Sequence, residues 1–381
     1  MEHTAWNTAI LGIGTALPRY QLDQTETSIR LADALRDNPD SARWAKRIFK
    51  QCGVETRYTC EPDLLNMASD CSYFAGNSSR KAPTTAERMI TYQRESVPLG
   101  LEAARAALSK AYTVSSDITH LITVSCTGQF LPGLDTILIR ELQLRDDVNR
   151  ITLNFLGCAA GLKAVCLAKQ FVSANAAAKV LVVCVELCTI HIQSSSKRED
   201  LFAASFFGDG ASSCVVGKTE PHHRGFFELS SSRSVLLQNC ADKMIWEVGN
   251  HGFELFLSPE IPQLIGSTVP AEIARLLGGG SNPAIWAIHP GGRGIIDAIQ
   301  TMYGLSDHQT QASRDVLRQY GNLSSATILF VLDQIARAHI ETDSGYTDGI
   351  ALAFGPGLTV EMIKIAYWPE VMADAPLAAE A

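Results

Sequence analysis

Apolar positions along the chain fall into two alternating patterns. Short β-branched runs, TAILGI at 8–13, HLITVS at 120–125, ITLNF at 151–155, KVLVVCVE at 179–186 and SSCVVG at 212–217, have the length and composition of buried strands. Between them, residues 88–111, 134–142 and 160–173 are Ala/Leu-rich and predict helices. The segment KTEPHHR at 218–224 is polar and contains proline, so it predicts a joint. A second series follows, with strands at 226–230, 253–257, 284–288, 349–354 and 359–367 and a helix over 323–338. This alternation is that of stacked βαβ units, an α/β fold. Both series place a strand before a Gly-rich turn and a helix, at Gly157 and at Gly291, which predicts two related halves, 1–218 and 219–381. The Ala/Pro/Glu-rich tail at 369–381 is expected to fray.

The bulk numbers agree and remove some functions. At 381 residues, 46% hydrophobic and 19% charged, the chain has material for two cores. Its formal net charge of −8 argues against a nucleic-acid partner or an anionic membrane surface. The N-terminal MEHTAWNTAI lacks the basic and apolar regions of an export signal, and no apolar run approaches ~18 residues, so a cytoplasmic protein without a membrane span is expected. Ten cysteines with neither a CxxC pair nor zinc-type spacing read as reduced thiols, most of them small core residues. GIGTAL at 12–17 lacks the third glycine of a dinucleotide loop and is followed by Pro18. LGGGSNP at 277–283 leads into a strand and reads as a connector.

One cysteine is placed differently. Cys158 follows ITLNF and precedes a helical run, among the small residues Gly157, Ala159, Ala160 and Gly161. A thiol at the start of a helix is expected to ionise more easily than a free one, and a bulky thioester could approach it. A buried structural cysteine fits the same segment. His289 ends the strand AIWAIH before PGGRG, a place where many histidines are structural; Asn322 in YGN precedes a helix and reads locally as its N-cap. Together the three form a chemically complete set: a thiol nucleophile, an imidazole that serves as base or donor, and an amide donor for an oxyanion.

FLGCAAG, AIHPGGRGIID, YGNLSSATILFVLD, FFGDGASSCVVG and AFGPGLTVEMI, in this order and spacing, resemble the type III polyketide synthases, the chalcone-synthase-like enzymes of the thiolase superfamily. The resemblance runs from about residue 8 to 366. APTTAERMITY, TVSCTGQFLPGLD and WEVGNHGFELFLSPEIP resemble the bacterial members, alkylpyrone and alkylresorcinol synthases among them. It implies a thiolase-like αβαβα layered fold and iterative decarboxylative Claisen condensation of malonyl-CoA onto an acyl-CoA starter, without metal or organic cofactor. It implies that Cys158 carries the acyl group, that His289 and Asn322 hold the malonyl thioester oxygen, and that Phe207 stands at the mouth of the acyl pocket. It further places Cys126, His191, Trp246, Leu255, Gly355 and Pro356 around the substrate, Leu131 in the substrate pocket of the neighbouring subunit, and Arg47 and Lys50 at the CoA entrance. Arg43, Lys46, Arg47 and Lys50 do recur at helical spacing on one face, as an ordinary solvated face also would. A homodimer and a pyrone or resorcinol product complete the expectation; Trp246 and Leu255 stand where plant members carry Gly and Phe, against a plant-like chalcone reaction. The rival enzyme is a ketoacyl-ACP synthase III, which shares Cys, His and Asn. A papain-like protease lacks its signature here, and a non-catalytic thiolase-fold scaffold would not need all three reactive residues.

Overall fold

The computed structural model describes residues 7–74, 81–193, 195–220, 223, 225–340 and 347–369. Its strands are β1 (Thr8–Ala16), β2 (Tyr20–Asp23), β3 (Thr56–Thr59), β4 (His120–Ser125), β5 (Asn149–Asn154), β6 (Val180–Leu187) and β7 (Asp209–Lys218). After the joint come β8 (Phe226–Leu236), β9 (Met244–Gly249), β10 (Gly252–Leu257), β11 (Ile285–Ile288), β12 (Thr347–Gly355) and β13 (Thr359–Trp368). Nine of them form one sheet in the order β11-β12-β13-β8-β1-β7-β6-β4-β5. β1 pairs with β7 along its length but meets β8 only through Ala9↔Glu228 and Ile10↔Phe227, so the sheet divides there into two slabs.

Strands buried on both faces explain the continuous apolar runs. In β6, Val180, Val182 and Cys184 face a core shared by the helices Ala160–Ala174 and Thr327–Ile340, whereas Leu181, Val183 and Val185 face the outer helix Thr85–Lys110. On the other slab, Trp286, Ile288, Ile350 and Leu352 pack under the helices Ile261–Leu277 and Arg293–Tyr303. The result is helix, sheet, helices, sheet, helices: the expected αβαβα layering. The two central helices begin at the same end, beside Cys158 and Asn322.

Two glycine clusters resolve simply. A Cβ on Gly14 would lie 2.1 Å from Ala103 O, so GIGTAL is a strand pressed against helix Thr85–Lys110. Gly278 stops helix Ile261–Leu277 in the left-handed region (φ 64°) and begins the connector LGGGSNP. The expected helix over 323–338 is a 3-10 turn, Ser324–Ala326, followed by Thr327–Ile340. Residues 370–381 of the tail, and 221, 222 and 224 of the joint, lie outside the described residues.

Candidate active site

Three chain reversals build the site. After β5, Phe155 (φ 58°) and Gly157 (φ 67°) turn the chain sharply, and Cys158 sits in the 3-10 turn Gly157–Ala159 that feeds helix Ala160–Ala174. A Cβ on Gly157 would lie 2.1 Å from Pro356 Cδ, so glycine is required both by the backbone and by the proline of AFGPG. His289 follows β11 and is tied down by its N–H to Leu352 O at 2.8 Å. Helix Asp307–Tyr320 ends at Gly321 (φ 72°), and Asn322 then bridges to Phe207: Asn322 N–H donates to Phe206 O at 2.7 Å and Gly208 N–H to Asn322 O at 3.1 Å. Cys158, His289 and Asn322 line a single cavity of about 40 Å³, walled by Phe207, Trp246 and Leu255.

The amide of Asn322 is oriented by its neighbours. Its Oδ1 accepts from Ser324 N–H at 2.8 Å and Thr327 Oγ1 at 3.3 Å, which leaves Nδ2 directed at Cys158 Sγ, 3.8 Å away. Asn322 is therefore a turn-capping residue and a donor into the cavity at once. His289 is fully buried, and neither Nδ1 nor Nε2 has a hydrogen-bond partner among the described residues. Burial lowers its pKa to about 3, so the lone ring is neutral. The expectation that Cys158 ionises easily is reversed for the isolated thiol: burial pushes it up to about 11, against the pull of Ser324 and Asn322. Desolvation of the thiolate outweighs the start of one helix.

Beneath the site lies a group the sequence did not single out. Glu186, which interrupts the apolar run of β6, is completely buried and accepts hydrogen bonds from Cys126 N–H (3.0 Å), Thr127 Oγ1 (2.7 Å) and Ser325 Oγ. Burial still raises its pKa. It fixes the loop carrying Cys126, whose Sγ lies 2.9 Å from Ser324 Oγ. Cys188 joins Cys126 and Cys158 in the cavity wall.

The remaining expected residues separate into near and far. Trp246 and Leu255 face each other across the β9–β10 hairpin, and Trp246 Nε1 donates to Cys126 O at 2.8 Å, which locks the wall. His191 lines an adjoining cavity with Phe207 and Trp246; its Nε2 lies 2.6 Å from Thr127 O and its Nδ1 accepts from Phe253 N–H at 3.0 Å. With both nitrogens engaged and its pKa lowered to about 3 by burial, His191 is a wall and not a base. Pro356 lines the main cavity, and Gly355 lies behind it, where a Cβ would come 3.0 Å from Ala159 Cβ. Leu131 does not reach the Cys158 cavity within this chain: it is 95% exposed and borders a separate cavity of about 530 Å³ beside β4 and β5. Arg47 and Lys50 are exposed on helix Pro39–Gln51, whose inner face is Ser41, Ala45 and Phe49, and Arg47 lies over the Trp44 ring at 5.5 Å.

Comparisons with known proteins identify the family. Residues 2–221 match the family model for the N-terminal domain of chalcone and stilbene synthases, and residues 228–367 match that for the C-terminal domain. The alpha-pyrone synthesis polyketide synthase-like Pks18 of Mycobacterium tuberculosis is 32% identical over 360 residues, covering 92% of this chain and 89% of that protein. The structure of PKS-I from the brown alga Ectocarpus siliculosus matches with a TM-score of 0.87 at 27% identity, over 96% of this chain and 100% of the other. That of 1,3,6,8-tetrahydroxynaphthalene synthase from Streptomyces coelicolor, a bacterial type III polyketide synthase, matches with a TM-score of 0.85 at 27% identity, over 95% and 100%. With both family models matched in succession and a curated relative aligned almost end to end, the chain belongs to the chalcone and stilbene synthases, and it is a type III polyketide synthase.

Proposed function

We propose that Cys158 takes an acyl group from a CoA starter and that His289 and Asn322 drive its extension by malonyl-CoA. Cys158 Sγ attacks the starter thioester, its proton passes to His289, and that proton leaves with the CoA sulfur, so acyl-enzyme and free CoA result. Malonyl-CoA then loses CO2, and the electron pair left behind becomes an enolate whose charge rests on the thioester oxygen. An imidazole N–H and the Asn322 Nδ2 donate to that oxygen, stabilising charge that is absent from the ground state. The enolate carbon attacks the acyl carbonyl, the C–S bond to Cys158 breaks, and the lengthened chain is carried on CoA into the next cycle. The apolar wall of Phe207 beside the malonyl carboxylate favours departure of neutral CO2. No step calls for a metal or organic cofactor.

The observation that carries this reading is the pair of unpartnered nitrogens on buried His289, in the same cavity as a sulfur-directed amide. A buried polar atom without a partner is costly, and a substrate oxygen removes that cost. For the product we propose a pyrone or resorcinol from a fatty acyl or other bacterial-type starter, supported by the relative described by alpha-pyrone synthesis and by Trp246, which fills one side of the cavity. Arg47 and Lys50 are proposed to meet the CoA phosphates. A homodimer is proposed through the face bearing Leu131 and edge strand β5. The family match favours this reading over a ketoacyl-ACP synthase III. Purified protein incubated with malonyl-CoA and starters of graded length tests it: triketide or tetraketide pyrones or resorcinols from acyl starters support it, and turnover of aromatic starters alone removes the fatty-acyl proposal.

A further inference from the structure

Arg57, on β3, is wholly buried and makes no ion pair with a described residue. Its Nη1 donates to Phe207 O at 2.7 Å, while Nε and Nη2 are enclosed without a hydrogen-bond partner among the described residues. Its guanidinium carbon lies 5.8 Å from the centre of the Phe49 ring. Its stem runs directly beneath the crossing of two segments. A Cβ on Gly321 would lie 3.0 Å from Arg57 Cγ and 2.3 Å from Phe206 O, and one on Gly208 would lie 3.4 Å from Arg57 Cβ and 2.6 Å from Tyr320 O.

That crossing is the Phe207↔Asn322 bridge. Its own two hydrogen bonds use Phe206 O, Asn322 N–H, Gly208 N–H and Asn322 O. The Phe207 carbonyl between them is held by Arg57. A cation with two unpaired donors costs several kcal/mol to bury, and an apolar side chain would fill the same space at less cost. Burial lowers the guanidinium pKa only to about 10, so the charge persists at neutral pH.

We propose that Arg57 is a positioning residue: by clamping the Phe207 carbonyl it fixes the gap between the Phe207 ring and the Asn322 carboxamide, and hence the grip on the malonyl group. This rests on the roles proposed above for Asn322 and Phe207. Displacement of a reacting group by about 1 Å costs up to about 100-fold in rate. The role therefore falls chiefly on the decarboxylation step, where Asn322 and Phe207 act together on the malonyl group, and only weakly on acylation, where Asn322 meets Cys158 Sγ at 3.8 Å.

The test is kinetic, on the full chain, with Arg57→Lys and Arg57→Met. Malonyl-CoA decarboxylation is followed by CO2 release, and acylation of Cys158 by intact-protein mass after mixing with a starter CoA. The expected order of decarboxylation kcat is wild type, then Lys down about tenfold, then Met down about 100-fold, with KM and the acylation rate within about threefold of wild type. Equal falls in both half-reactions, or folded variants with kcat within about twofold of wild type, overturn the proposal. If Arg57→Met does not fold, the Lys variant alone decides by the same criteria. A wild-type protein that acylates but does not decarboxylate malonyl-CoA refutes the parent reading instead, and the two failures are thus distinct.

Discussion

His289 and Cys158 are each pushed by burial towards their neutral forms, to about 3 and about 11, yet they share one cavity. Separately neither charge is tolerated at rest; in the acylation proposed above the imidazolium and the thiolate form together, and the proton that passes between them is the one the leaving CoA takes. In His289→Ala the thiol loses that partner. Iodoacetamide labelling of Cys158 in this variant should rise about tenfold per pH unit towards pH 11, while wild type reaches its plateau at lower pH. Superimposable profiles would show that the imidazole does not act on the sulfur. Removal of a donor from the enolate site has a separate signature. Asn322→Ala should lower decarboxylation by about 10²- to 10³-fold and leave Cys158 able to accept a starter, as read by CO2 release and by protein mass.

At the scale of elements, the site exists because two central helices begin against each other. A Cβ on Gly161, in the first turn of Ala160–Ala174, would lie 2.1 Å from Ser325 O in the turn before Thr327–Ile340. Gly161→Ala should therefore cost about 1–3 kcal/mol in chemical denaturation and displace Asn322 and Ser324 together, lowering kcat as well. Strands buried on both faces, such as β6, are legible as apolar runs, and FLGCAAG marks a strand-to-helix turn in the sequence itself. Other parts were not legible, for identifiable reasons. β2 and β3 are four-residue strands, too short to show a period, and β9 carries Trp246 and Glu247 in a run too polar to stand out. Glu186 shows in the sequence only as the polar end of an apolar run, because the groups that satisfy it, Cys126 N–H and Ser325 Oγ, are 60 and 139 residues away. Asn322 read locally as the N-cap of a helix; the structure instead gives that place to Leu323, while Asn322 Oδ1 accepts from Ser324 N–H and Thr327 Oγ1, and its second role depends on Phe207 and Cys158 arriving from elsewhere in the chain.

For the whole molecule, two fully neutral buried imidazoles make stability depend on acid. The folded pKa values of His191 and His289, about 3, lie below the ordinary 6.5, so their contribution is complete above pH 6.5 and is lost as pH falls through that value towards 3. Each removes about 1.4 kcal/mol per pH unit in that window. Thermal melts from pH 7 to 4 should fall more steeply for wild type than for a His191→Gln/His289→Gln double variant; parallel curves would contradict the neutral assignment. Light scattering at micromolar concentration should give the mass of a dimer, since β5 and Leu131 leave an unpaired edge and an exposed apolar loop; a monomer would count against the proposed interface. No helix among the described residues is long and apolar enough to cross a membrane. Mass spectrometry of the protein after sequential addition of a starter CoA and malonyl-CoA reads the proposed chemistry at Cys158 itself. One acyl adduct is expected on the peptide containing Cys158, absent in Cys158→Ala, which disappears on malonyl-CoA addition as CO2 and an extended product form. An adduct on another residue, or one that malonyl-CoA leaves in place, would contradict it.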